Sequence, residues 1–149
     1  MSFTGEYNNS LDQKTRLSLP AKFRKSLDPV NDKTFVVCKG FDQCLFLYPV
    51  EEWKIVEEQL ISLSSIKDAN RNFIRNITRH ANYVTYDGQG RIPITDILLE
   101  YSNIKKEVVV IGMLKKIELW DPETLKKYDK NNTSLTNSDF ENLADKISF

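Results

Sequence analysis

Histidine occurs once in the 149 residues, as His80, and cysteine only twice, as Cys38 and Cys44. Two cysteines six apart, with no second cysteine pair and no histidine at ligand spacing, give no metal site. The serines lack the His/Asp partners that would make one a nucleophile. Asp87-Gly-Gln-Gly-Arg91 lacks the Lys-Ser/Thr or third glycine of a phosphate-cradling loop. No catalytic constellation, metal or cofactor is therefore expected. Charge of one sign is also missing, since 21 Lys and Arg balance 21 Asp and Glu. That balance excludes a polybasic arm or acidic tail as the main working part, but it leaves DNA open, because binding depends on where charge sits. The longest apolar run, Val108 to Leu114, is far short of a membrane span. Met-Ser-Phe-Thr-Gly-Glu carries neither a basic n-region nor an apolar h-region, so a cytoplasmic protein with reduced core thiols is expected.

What is present is a body rich enough in apolar residues, at 40 %, to build a real core. Through Trp120 there are 17 basic and 15 acidic side chains, and from Asp121 onward 4 and 6, so the body is slightly basic and the tail slightly acidic. The sequence also repeats itself. Asp12-Gln-Lys-Thr-Arg16-Leu-Ser-Leu-Pro20 aligns with Asp87-Gly-Gln-Gly-Arg91-Ile-Pro-Ile-Thr95 at an offset of 75. Leu45-Phe-Leu-Tyr48 aligns with Ile117-Glu-Leu-Trp120 at an offset of 72, and each is followed by a proline and acidic residues. Such self-similarity marks a duplicated unit.

Each half reads as strand, turn, strand, short helix and two more strands. The predicted elements are Gly5–Leu11, Leu17–Leu19, a helix over Ala21–Leu27 opened by Pro20, Phe35–Cys38 and Leu45–Tyr48. The second half repeats them as Tyr83–Tyr86, Ile92–Ile94, a helix over Asp96–Tyr101, Glu107–Ile111 and Ile117–Trp120. Strands this short cannot close a core within one half, so the expected architecture is α+β, mainly β, with the halves paired into a pseudo-two-fold barrel. The division is repeat 1 over 5–50, connecting helices over 51–80, repeat 2 over 81–123 and a helical tail over 124–149.

Between the halves, Val50, Trp53, Val56 and Leu60 share one helix face. Ser65 and Asp68 form a capping-box pattern for a helix running to about His80, with Ile66, Asn70, Phe73 and Ile77 as its inner stripe. On the opposite face Arg71, Arg75 and Arg79 form a second stripe. Its plain meaning is a solvated face; with only Asp68 nearby as an acidic partner, an external phosphate or a neighbouring subunit's carboxylate is the other reading. After Asp121 a helix runs to about Tyr128. The polar stretch Lys130–Asn137 reads as a linker, and a terminal amphipathic helix follows, with Ser138 three before Glu141 and Phe140, Leu143, Ala144 and Ile147 on one face. That helix has three open roles: packing in cis, joining neighbours, or holding a partner. His80, beside the arginines, reads as a structural residue.

The two Asp-x-x-x-Arg turns are the leading site. Asp12 and Asp87 can accept hydrogen bonds from their own turns' amides, and Gly88 and Gly90 permit positive φ. Arg16 and Arg91 then project from rigid bases. A single such pair would merely staple its turn; two in a duplicated fold face a shared surface. The first copy adds Gln13 and Lys14, with Lys22, Arg24 and Lys25 on the next helix, whereas the second offers Arg91 and Gln89 among glycines. The candidate DNA-contacting residues are Gln13, Lys14, Arg16, Lys22, Arg24 and Arg91; if one copy reads DNA, the first has the cations and the amide for it, and the second either touches DNA too or is architectural.

Phe3-Thr-Gly-Glu-Tyr, Leu11-Asp12 through Arg24, Cys44 through Trp53, Asp87-Gly-Gln-Gly-Arg-Ile and Ile117-Glu-Leu-Trp-Asp121 together resemble the MraZ family over about residues 3–125. The resemblance implies an AbrB-like swapped-hairpin barrel whose halves form a pseudo-dimer within one chain. It implies homo-oligomeric rings, octamer-like in size, and nucleoid-associated, sequence-specific binding of double-stranded DNA at short direct repeats. Those repeats lie upstream of the family's own division and cell-wall operon, which it represses. It maps the DNA-contacting arginine onto Arg16, with Lys14 beside it. Thr15 stands where the family usually has Gly, so a stiffer or differently shaped first turn is expected. Thr95 stands where a second Ile-Pro is common, which weakens the second motif. The rival reading is an oligomeric protein-interaction scaffold using the barrel and the Phe140/Leu143/Ile147 face, indifferent to loss of Lys14 and Arg16.

Overall fold

The computed structural model describes residues 1–131 and 135–148. Among the described residues eight strands run in chain order: β1 Glu6–Ser10, β2 Arg16–Ser18, β3 Thr34–Lys39, β4 Leu45–Pro49, β5 Asn82–Thr85, β6 Arg91–Pro93, β7 Glu107–Met113 and β8 Lys116–Trp120. Six helices accompany them: α1 Ala21–Ser26, α2 Val50–Ile61, α3 Asp68–Thr78, α4 Asp96–Ser102, α5 Pro122–Asn131 and α6 Asn137–Ala144. A 3₁₀ turn, Pro29–Asn31, precedes β3. The chain is α+β with a largely antiparallel sheet.

Six strands hydrogen-bond in the order β1-β7-β8-β4-β3-β5, and β2 with β6 forms a separate two-stranded ribbon. The duplication makes β1 to β4 the counterparts of β5 to β8, and exchanging the halves turns the sheet order into its own reverse. Each half's first strand pairs with the other half's third, β1 on β7 and β5 on β3. The pseudo-two-fold axis falls on residue pairs that are each other's counterparts. Leu17 faces Ile92 in the ribbon, and Phe46 faces Glu118 between the central strands. The sheet is open, because β1 and β5 form its two edges and pair with each other nowhere among the described residues. The strands thus do not hydrogen-bond around a closed ring.

The sheet buries both faces, as alternation along β3 shows. Phe35 and Val37 point into a core shared with Leu17, Ile92, Phe23 and Leu98, under the ribbon, α1 and α4. Val36 and Cys38 point into a second core with Phe46, Trp53, Ile77 and Trp120, under α2 and α3. Both free cysteines are buried there, and burial pushes the Cys38 thiol up to about 12 and that of Cys44 higher still, so neither is a nucleophile at neutral pH.

Three local expectations change. The cap of α3 is Lys67, with no side-chain bond, so the Ser65/Asp68 box does not form. Helix formation starts after Ile66, which is left 88 % exposed, and the inner face is carried by Ile74 and Ile77 while Phe73 stays 44 % exposed. For α6 the capping box is formed by Thr136 and Asp139 instead of Ser138 and Glu141. The Thr136 hydroxyl accepts from the Asp139 amide at 3.0 Å and Asp139 accepts from the Thr136 amide at 3.3 Å. Of the predicted linker, residues 132–134 lie outside the described residues, and α5 extends into its start, through Asn131. No helix among the described residues is long and apolar enough to cross a membrane.

Candidate nucleic-acid interface

The ribbon determines where the two turns go. Leu17, Leu19, Ile92 and Ile94 are buried beneath it, so period-two alternation puts Arg16, Ser18, Arg91 and Pro93 on its outer side. Arg16 pairs opposite Pro93 and Ser18 opposite Arg91, which sets the arginines two residues apart along the ribbon, about 7 Å.

Each turn is braced by its own aspartate with the same geometry. One Asp12 oxygen accepts from the amides of Lys14 and Arg16, both at 2.9 Å, and the other accepts from Arg16 Nε at 2.8 Å. One Asp87 oxygen accepts from the amides of Gln89 at 2.9 Å and Arg91 at 3.0 Å, and the other from Arg91 Nε at 2.9 Å. The Thr15 amide donates to Asp12 O at 3.0 Å, and the Gly90 amide to Asp87 O at 2.9 Å. Thr15 has φ +55° where Gly90 has φ +75°, so threonine adopts the left-handed conformation and the first turn keeps the shape of the second. Of the two glycines expected to use positive φ, only Gly90 does.

The turns are also fastened to each other, which the sequence did not reveal. The Leu19 amide donates to Gly90 O at 2.8 Å and the Ile94 amide to Thr15 O at 3.1 Å. Arg91 Nη1 lies 3.7 Å from Asp12, so Arg91 faces both aspartates, while Arg16 is paired with Asp12 alone. Among the described residues the Arg16 guanidinium hydrogen-bonds through Nε alone, leaving both terminal nitrogens to an incoming acceptor.

Asp12, Gln13, Lys14, Arg16 and Arg91 line one shallow depression. Of the candidate residues, Lys22 lies elsewhere and reaches the Thr4 hydroxyl at 3.4 Å. Arg24 is engaged within the ribbon's surroundings. Its Nε donates to Leu19 O at 3.2 Å and its guanidinium lies so close over Gly90 that a Cβ there would meet it at 2.5 Å. It therefore props the second turn from the first half's helix, and its counterpart at the offset of 75 is Leu99, a difference that was visible in the sequence. The basic stripe on α3 divides as well. Arg71 donates to the carbonyls of Ser65 and Ile66 at 2.9 and 2.8 Å and meets Asp68 at 3.2 Å, which closes the turn before the helix. Arg75 and Arg79 join Lys39 around a separate hollow. Burial, then Lys39 and Arg79, hold the neighbouring His80 below its usual value, so it stays neutral at pH 7.

Amide bonds from Arg16 and Arg91 hold Asp12 and Asp87 below the usual carboxylate value. A depressed folded value means that the turns' stabilisation is complete above the unfolded value, about 3.9, and is lost only as pH falls below it. Amide shifts of Lys14, Arg16, Gln89 and Arg91 should therefore stay constant from neutral pH down to about 4 and move together below it. Movement near pH 6 would contradict this assignment.

An internally duplicated, strand-exchanged α+β protein that presents two cross-braced Asp-x-x-x-Arg turns on one ribbon is the class defined by this fold and site. The family model described as "MraZ protein, putative antitoxin-like" matches twice, over residues 2–76 and 77–146. The chain is 40 % identical over 146 residues to the transcriptional regulator MraZ of Clostridium tetani, covering 98 % of this chain and 96 % of that protein. It is 38 % identical over 146 residues to the transcriptional regulator MraZ of Clostridium acetobutylicum, with the same coverage. To that of Halothermothrix orenii it is 45 % identical over 118 residues, 79 % of this chain and 80 % of the relative. The chain belongs to the MraZ family.

Proposed function

We propose that this protein is a sequence-specific DNA-binding transcription regulator that represses its own division and cell-wall operon by binding short direct repeats in the promoter. The observation that carries the reading is the pair of cross-braced turns, which offer rigid arginines on an exposed ribbon. Arg16, with two terminal nitrogens unengaged, reads a base edge, and Lys14 and Gln13 beside it contact backbone or base. Asp12 and Asp87 stabilise the turns, and Arg91, held between both aspartates, is architectural. Arg24 supports DNA binding through Gly90, and Lys22 supplies a peripheral charge.

The division into repeats over 5–50 and 81–123 describes a pseudo-dimer of swapped-hairpin halves, supported by the exchanged pairing of β1 with β7 and β5 with β3. One chain offers few cations, so a single contact is weak. A homo-oligomeric ring, octamer-like in the family, engages several repeats at once, and effective concentration supplies the affinity. In this reading the protein works in the cytoplasm on nucleoid DNA.

Fluorescence anisotropy against a duplex from the protein's own upstream region, beside a scrambled duplex and titrated in salt, tests it. Tight binding to the repeats alone is expected, with each phosphate contact adding about 0.9 to the log–log salt slope. Equal, weak binding to both duplexes would overturn it and favour the scaffold.

A further inference from the structure

A cationic hollow of about 180 Å³ lies apart from the turns, lined by Lys39, Asn72, Arg75, Asn76 and Arg79, and it shares no residue with the depression on the ribbon. The sheet edge determines its position. The edge strand β5 begins at Asn82, opposite Val37, so β3 runs on past it and ends with Lys39 beside α3. The four α3 residues follow at intervals of three or four, which puts their side chains on one helix face.

These cations have no counter-charge. Among the described residues Lys39, Arg75 and Arg79 form no ion pair. The acid on α3, Asp68, is held by Arg71 at 3.2 Å and reached by Asn72 at 3.4 Å. Lys39 Nζ stands 5.0 Å from the centre of the Tyr101 ring, a contact that holds the ammonium without neutralising it. Arg75 Nη1 donates to Asn72 Oδ1 at 2.8 Å, which orients the guanidinium and leaves the rest of its fork open. Cations in a helix's last turn do complement its own dipole, but that is a charge of only about half a unit. Two arginines at i,i+4 repel each other, and a lysine from another element adds to them. Burial, and then Lys39 and Arg79, hold the neighbouring His80 below its usual value, so the field of these cations reaches that ring. The cluster is also no relic of the duplication, since the counterpart of Lys39 at the offset of 72 is Ile111.

We infer that the hollow is a phosphate-binding site, in which Arg75 and Arg79 hold the phosphate oxygens, Lys39 supplies the third positive charge and the Asn76 amide donates alongside. A phosphate offers several acceptor oxygens and up to two negative charges to guanidinium forks, where a carboxylate offers two oxygens and one charge. The site is independent of what the ribbon reads. Its phosphate has two sources, a small phosphorylated molecule or the backbone of DNA.

Inorganic phosphate is titrated into the full-length protein at fixed pH and ionic strength, against chloride, and followed by NMR on His80, the chain's one histidine. A saturable shift is expected, with binding at least about tenfold weaker in Arg75→Gln/Arg79→Gln. Both arginines are exposed, so that variant keeps its fold. Lys105→Gln/Lys106→Gln, which removes the same charge from exposed positions elsewhere, should bind phosphate as wild type does. Salt titrations with a scrambled duplex distinguish the sources, and either result leaves the site standing. A slope smaller by about 0.9 or more in the arginine variant means a backbone phosphate, and an unchanged slope a small ligand. No saturable shift in wild type, or the same shift in the arginine variant, overturns the inference. An equal loss in the lysine variant overturns it too, because net charge alone then accounts for binding. A wild type indifferent to phosphate, beside an arginine variant of lower sedimenting mass, gives the hollow to a carboxylate of a second copy and also overturns it.

Discussion

Arg16→Ala abolishes specific DNA binding and leaves the fold and assembly unchanged: that is the largest functional effect expected. A bidentate arginine–base contact discriminates by roughly 1–3 kcal/mol, so loss of one turn's contact weakens operator binding by about tenfold or more. A multivalent reader loses that factor at every engaged turn. The side chain is partly exposed and among the described residues pairs with Asp12 alone, so circular dichroism and sedimentation should match wild type. Arg91→Ala should behave differently. Arg91 lies between Asp87 at 2.9 Å and Asp12 at 3.7 Å, and its loss leaves two carboxylates on one ribbon without the cation between them. That variant is expected to lower the melting temperature and to weaken DNA binding as a consequence. Anisotropy beside thermal melts distinguishes the two. Operator affinity retained by Arg16→Ala would remove the first turn from the recognition surface.

The largest stability effect is expected for Phe23→Ala. Phe23 is fully buried and meets Phe3 edge to face at 5.4 Å and Tyr7 at 5.2 Å, at the centre of the core beneath the ribbon. Truncating a buried phenylalanine costs about 3–5 kcal/mol, which in a chain of this size lowers the melting temperature by roughly 10 °C or more. The loss is also local to the site, because the next residue, Arg24, props Gly90. Phe41→Ala, at a position 71 % exposed whose ring meets Phe46 edge to face at 5.2 Å, is the matched comparison and should cost no more than about 0.5–1.5 kcal/mol. Calorimetry on both variants checks the contrast, and equal losses would mean that the core is not centred on Phe23.

Element types and order followed from period and punctuation, because alternation such as Leu17/Leu19 and spacing such as Trp53/Leu60 are imposed directly by burial. The aspartate bracing was legible for the same kind of reason: an Asp four residues before an Arg can reach the turn's own amides without any distant contact. What was not legible depends on groups brought together by the whole chain. The cross-turn bonds of Leu19 with Gly90 and Ile94 with Thr15 join residues more than seventy positions apart. The sheet's order follows from which half supplies each partner, which no local pattern encodes. The cap of α6 went astray by two residues because Thr136/Asp139 and Ser138/Glu141 both fit the box pattern, and an Asp at the third position served as well as a Glu. Thr15 misled in the opposite direction, since the turn's hydrogen bonds hold it at positive φ where steric preference alone argues for glycine.

A two-fold dimer of identical subunits presents the same surface in both directions and is therefore suited to an inverted repeat. In this chain the symmetry survives in the strand order while the residues on either side of the axis have drifted apart: lysine and an arginine held by one aspartate on one turn, glycines and an arginine facing two aspartates on the other. Covalent joining of the halves is what permits that drift, since each half always meets the other and never a copy of itself. The result is a molecule with a forward and a reverse sense along the double helix. On the proposed reading, such a molecule would distinguish the orientation of its target, and a tandem array of half-sites pointing the same way would suit it as a palindrome would not.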